Sequence, residues 1–131
     1  TLPGYLPISS SESMLELYVE NAASLVGKES LNKLSHRTGS TDMGDISQLM
    51  PVIHPYVEAA SGQGHGIDYL VRDYELGVLT GSKAMAMTVV DLMSDGGRKG
   101  KSISDGYKPP LTKGEYLALL RGMMREDTYT E

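Results

Sequence analysis

Apolar residues recur at spacings of three and four through Met14, Leu15, Tyr18, Ala22, Leu25 and Val26, the period of one helix face. The pattern predicts a helix over 13–26. Ser13 followed by Glu16 reads as its capping box, and Gly27 as the residue that closes it. A short segment at 33–38 leads into a turn and a second helix over 42–50, which Pro51 stops. Over 52–59, Val52, His54, Tyr56 and Glu58 alternate with Ile53, Val57 and Ala59, as strand residues do. Pro55 donates no amide hydrogen, so this strand is expected at an edge or with a bulge.

Beyond it the sequence SGQGHGIDY sets Gly62, Gly64 and Gly66 around His65, removing side chains from the backbone there. Asp73 then caps a long helix expected over 74–94, with apolar residues on nearly every side and so covered on more than one face. From Asp95 to Lys108 glycine, lysine and serine dominate, the composition of a connecting segment. Thr112 and Glu115 form a capping box for a last helix carrying Tyr116, Leu117, Leu119, Leu120, Met123 and Met124. Helices alternating with short apolar strands predict an α/β fold in three parts: 1–94, a linker over 95–110, and a terminal helix over 111–131. Two readable strands make a marginal sheet, which points to a partner segment that extends it.

Composition changes this picture only in part. Of 131 residues 40% are hydrophobic and 22% charged, a balance that favours a folded core. A net charge of −5 argues against a nucleic-acid partner, since the only dense basic run is Arg98, Lys99 and Lys101 among glycines. With no cysteine, any metal site must use His, Asp or Glu. No uninterrupted apolar stretch of membrane-spanning length and no leader pattern is readable, so a cytoplasmic protein without a membrane partner is the expectation. The chain begins at Thr1 without an initiator methionine, which reads as a piece of a longer protein.

Three places carry candidate chemistry. His65 lies in the glycine loop with Asp68 and Asp73 nearby in sequence; it is either a ligand or an exposed loop imidazole. His36 and His54 fall in presumed strands and read as hydrogen-bonded structure. In GSTDMGD two hydroxyls and two carboxylates stand at a helix start, where either Ser40 or Asp42 caps the helix or the free amides there receive a substrate carboxylate or oxyanion. No nucleophile elbow, dinucleotide fingerprint or phosphate loop occurs.

The segment HRTGSTDMGDISQLMPVIHPYVEAASGQGHGIDYLVRD and the following KAMAMTVVDLM resemble the closing part of the metal-dependent amidohydrolase and carboxypeptidase family that includes aminobenzoyl-glutamate hydrolases. The likeness runs from Pro3 to Met93. It implies a zinc-peptidase-like three-layer α/β catalytic domain that holds two divalent ions, zinc or manganese, with a smaller lid domain through which the intact protein forms a homo-oligomer. His65 matches the family's last metal ligand, although Gly66 and Ile67 stand where the family has Ser-Pro. Ser40, Thr41 and Asp42 match its substrate turn. The family's other ligands and its glutamate base have no counterpart here. The resemblance therefore implies hydrolysis of N-acyl amino acids or small peptides by the intact protein, and inactivity of these residues alone. The alternatives are a non-catalytic module that keeps the fold, or an interaction protein that docks through its Met- and Tyr-rich terminal helix.

Overall fold

The computed structural model describes residues 3–32, 41–126 and 128. The segment expected at 33–38, with His36, and the turn residue Ser40 lie outside the described residues.

Helix α1 spans Glu12–Val26. Its cap is Ser11, not Ser13: the Ser11 hydroxyl accepts the Met14 amide at 3.5 Å. Several serines in this run are chemically able to cap. Ser11 is selected because its own amide donates to the Val52 carbonyl at 2.9 Å, tying the helix start to a distant segment. The buried face passes through Leu17, Asn21 and Ala22, whereas Leu15 and Leu25, expected on that face, are exposed. After Gly27 a single 3-10 turn, Lys28–Ser30, follows.

Helix α2 is short, Met43–Ser47, with turns continuing to Met50 before Pro51. The expected strand at 52–59 forms no ladder among the described residues; its ends are bonded to other segments, the Val52 carbonyl to the Ser11 amide and the Ala59 carbonyl to the Arg72 and Asp73 amides, and Val52 and Ala59 are buried. Pro51 and Pro55 each lack the amide hydrogen a ladder needs. Pairing begins only at β1, Ala60–Ser61, which runs antiparallel to β2, Leu70–Val71, with Ala60 opposite Val71. The described residues are thus mostly helical with one two-stranded antiparallel sheet, and they do not build the expected three-layer α/β arrangement.

Asp73 caps the next helix as expected, its carboxylate accepting the Leu76 amide at 2.8 Å. The helix opens with π-helical turns, Glu75–Thr80, and continues as α3, Gly81–Gly106. It is broken at Ser94–Gly97, where Asp95, Gly96 and Gly97 take positive φ of 52°, 71° and 76°. Within the connecting segment expected over 95–110, Asp95–Gly97 depart from helical geometry and 107–110 lie beyond the helix, while 98–106 are helical. Local ion pairs there, Arg98 to Asp95 at 2.9 Å and Lys101 to Asp105 at 2.7 Å, bridge neighbouring positions in and beside that turn of helix.

α1 packs chiefly on α3. Ala84 is buried in this contact, and Asn21 reaches across it to donate to Thr88 Oγ1 at 3.3 Å and Asp91 Oδ2 at 2.8 Å. Thr88 passes its own hydrogen to the Ala84 carbonyl at 2.8 Å, so this buried polar group is fully satisfied. Much of this helix is bare: Val78 and Leu79 in its opening turns and Met85, Val89, Val90 and Met93 in α3 are each more than half exposed. By length and composition alone the run Glu75–Gly106, taken across its break at Ser94–Gly97, is long and apolar enough to cross a membrane. Only 11% of its apolar window is buried, so most of that surface is left uncovered by the described residues.

The last helix, α4, spans Lys113–Met123 and has the expected capping box. The Thr112 hydroxyl accepts the Glu115 amide at 3.2 Å, and the Glu115 carboxylate accepts the Thr112 amide at 2.8 Å. The Thr112 backbone bond, then its hydroxyl, hold the Glu115 carboxyl below its ordinary value of 4.5, against a small opposing effect of desolvation. A folded-state value below the unfolded one stabilises the helix at pH above 4.5, and that contribution drains away as pH falls through the depressed value. The α4 amides, followed by NMR during an acid titration, are expected to lose helical shifts in that range in the wild type. In Glu115→Gln the same step should vanish; a step of equal size in both proteins would assign the transition to other groups.

Candidate functional site

The sequence expectations fall at two places: the loop joining β1 to β2, and the start of α2. In the loop, the Gly66 amide donates to the Gln63 carbonyl at 2.7 Å and the Tyr69 amide to the Gly66 carbonyl at 3.2 Å, giving two successive tight turns. Gly62 takes a φ of 90°, and a β-carbon there would run into the Asp68 carbonyl. Glycine is required at that position for both reasons. The loop is thereby folded back on itself with His65 at its tip.

His65 has a positive φ of 66°, unusual for a residue with a side chain, and it is exposed. Its imidazole makes no hydrogen bond or ion pair with the described residues. The carboxylates near it in sequence are occupied elsewhere: Asp68 accepts the Gln63 amide at 3.4 Å, closing the loop, and Asp73 caps the following helix. Both act on backbone amides, which explains their positions without any ligand. Among the described residues no three His, Asp or Glu side chains come together as a metal cage. One exposed imidazole does not by itself fit a divalent ion, which needs several donors converging on it.

At the start of α2, the Thr41 hydroxyl accepts the Met43 amide at 3.3 Å and donates to Asp42 Oδ1 at 3.2 Å. The Gly44 and Asp45 amides donate to the Thr41 and Asp42 carbonyls, each at 3.0 Å. The side chain that caps is therefore Thr41; Asp42 makes no such bond to the helix amides. With these first amides already engaged, any contact this turn makes with a substrate falls to the side chains of Thr41 and Asp42. No hydrogen bond or ion pair joins this turn to His65 among the described residues.

His54, expected to be structural, sits edge-on to Tyr56 with ring centroids 5.0 Å apart. Sequence reasoning missed the enclosure of α2. Ser47 has no exposed surface, and its hydroxyl donates to the Gly44 carbonyl and accepts the Ser9 amide at 2.9 Å. No periodic pattern marks such a residue, because its partners lie far along the chain and are backbone groups.

No protein-family model matches the chain, and no solved structure matches it. The chain is similar to the human (Homo sapiens) Xaa-Arg dipeptidase, with 31% identity over 97 residues. The matched region is 68% of this chain but 22% of the dipeptidase, so the chain spans about a fifth of that relative's length. This distant similarity supports a peptidase-like hydrolase family for the chain and no narrower assignment.

Proposed function

We propose that this chain is the closing part of the catalytic domain of a hydrolase that cleaves the amide bond of N-acyl amino acids or small peptides, aminobenzoyl-glutamate-like substrates among them. The observation that carries the reading is the similarity to a dipeptidase of which the matched region is only 22%. The bare apolar side of α3 and the two-stranded sheet support it, since both are surfaces that a larger domain covers and extends. The partner is then the remainder of the catalytic domain, in a cytoplasmic homo-oligomer.

Within that domain, His65 is proposed as one donor to a pair of zinc or manganese ions whose other ligands lie outside these residues. Ser40, Thr41 and Asp42 are proposed to position the substrate. The chain alone has a single donor at hand and is expected to be inactive.

The test compares the isolated chain with the full-length protein from which it comes, each supplied with zinc or manganese and offered N-acyl amino acids and dipeptides. Hydrolysis by the full-length protein alone is the expected result. A full-length protein that binds these compounds without turning them over would establish the non-catalytic module instead. Turnover by the isolated chain would overturn the claim that its site is incomplete.

A further inference from the structure

Helix α2 is five residues long, too short to persist on its own. Yet Gly44, Ser47 and Gln48 are buried, so neighbouring segments must hold it. Two do so from opposite ends of the sequence. Upstream, the Leu6 amide donates to Asp45 Oδ1 at 3.2 Å, the Ser9 amide to Ser47 Oγ at 2.9 Å, and Gln48 Nε2 to the Pro7 carbonyl at 2.8 Å.

Downstream, the Tyr107 hydroxyl donates to the Ser47 carbonyl at 2.7 Å, and the Leu111 amide donates to the Gln48 carbonyl at 3.2 Å. These are consecutive carbonyls at the C-terminal end of α2, where a helix has no acceptor partners of its own. The Asp45 carboxylate is also felt in α4, where desolvation and then its charge push the Tyr116 hydroxyl above its ordinary range. Both downstream bonds come from about 60 residues further along the chain, just beyond the C-terminal half of α3. That half follows the left-handed break at Asp95–Gly97, which redirects the chain.

We infer that segment 107–111 is a strap that fixes the end of α2, and through it the Thr41–Asp42 turn, with Tyr107 as the positioning residue. The strap stands on these bonds alone; only its consequence for substrate rests on the proposed function. The sensitive measurement is amide hydrogen exchange by NMR on the full 131-residue chain. In Tyr107→Phe, which keeps the ring and removes the donor, the Gln48, Leu49 and Met50 amides are expected to exchange about fivefold faster, the factor one neutral hydrogen bond supplies. The Thr41 to Asp45 resonances should shift as well, while α1 amides keep their wild-type rates.

Leu17→Ala serves as the comparison, since it weakens the α1–α3 core and should accelerate α1 amides without selectivity for α2. Leu111→Pro removes the second donor and should reproduce the selective effect of Tyr107→Phe, which covers the case in which the tyrosine variant fails to fold. Unchanged α2 exchange in a folded Tyr107→Phe, or equal acceleration in α1 and α2, would overturn the strap. Neither result bears on whether the full-length protein is a hydrolase, so the two readings fail separately.

Discussion

Gly44→Ala is expected to destabilise the chain by about 3 kcal/mol, near the upper end of what overpacking a tight site usually costs. A β-carbon built on Gly44 would overlap the Leu6 carbonyl oxygen, which is backbone and has no rotamer by which to withdraw. Helix propensity pulls the other way, since alanine is preferred to glycine inside a helix by about 1 kcal/mol. The steric effect wins because relief requires moving residues 6–9 off α2, which breaks the Leu6 and Ser9 amide bonds together. Gly4→Ala is the control: nothing lies within 4 Å of a β-carbon there. Its unfolding midpoint in urea should match the wild type within about 0.5 kcal/mol. If Gly44→Ala matched it too, the N-terminal segment would not lie against α2.

Where local chemistry decides the outcome, the sequence was readable. Thr112 and Glu115 cap α4 because both partners of the box lie within four residues, and Asp73 caps its helix for the same reason. Where a distant group decides, it was not. Ser11 displaces Ser13 as the cap of α1 because Val52 accepts its amide, and nothing near Ser11 announces that partner. Asn21 looks like a surface residue until Thr88 and Asp91 arrive from 67 and 70 positions away. The 52–59 alternation does not appear in the burial, since Val52 and Ala59, expected on opposite faces, are both buried, and a strand requires a ladder that the described residues do not form there. The helix at 98–106 was hidden by composition: its glycines and serines lower helix propensity, while local i, i+3 and i, i+4 ion pairs act in its favour.

The candidate site divides along the same line. Three glycines around one histidine are legible as a loop that brings backbone close to backbone, and Gly62 meets that description. The role of Asp68 was not legible, because an acidic residue beside a histidine in sequence looks the same whether it faces a cation or an amide, whereas the capping by Asp73 was. That a helix starts just after Thr41 and Asp42 was legible from the sequence. The engagement of its amides by Thr41 and Asp42 was not, since it depends on the backbone path and not on residue type.

On the proposed reading, in which a longer protein hydrolyses amides with His65 as a metal donor, His65→Gly is expected to lower that hydrolysis by about 100-fold or more and to leave the fold intact. Residues that merely orient a ligand from behind cost about 10- to 100-fold when changed, so loss of a direct donor should reach or pass the upper figure. Glycine is chosen over alanine because His65 holds a φ of 66°, which glycine adopts without strain. The imidazole makes no bond to the described residues, so its removal breaks nothing structural here, and the unfolding midpoint should move by less than about 1 kcal/mol. His54→Gln supplies the contrast. His54 stands against Tyr56 at 5.0 Å and has no proposed part in the chemistry, so its variant should keep activity within about threefold of wild type. A stable His65→Gly protein that hydrolyses as fast as the wild type would remove the imidazole from the site, and the proposed reaction would then have no anchor among these residues.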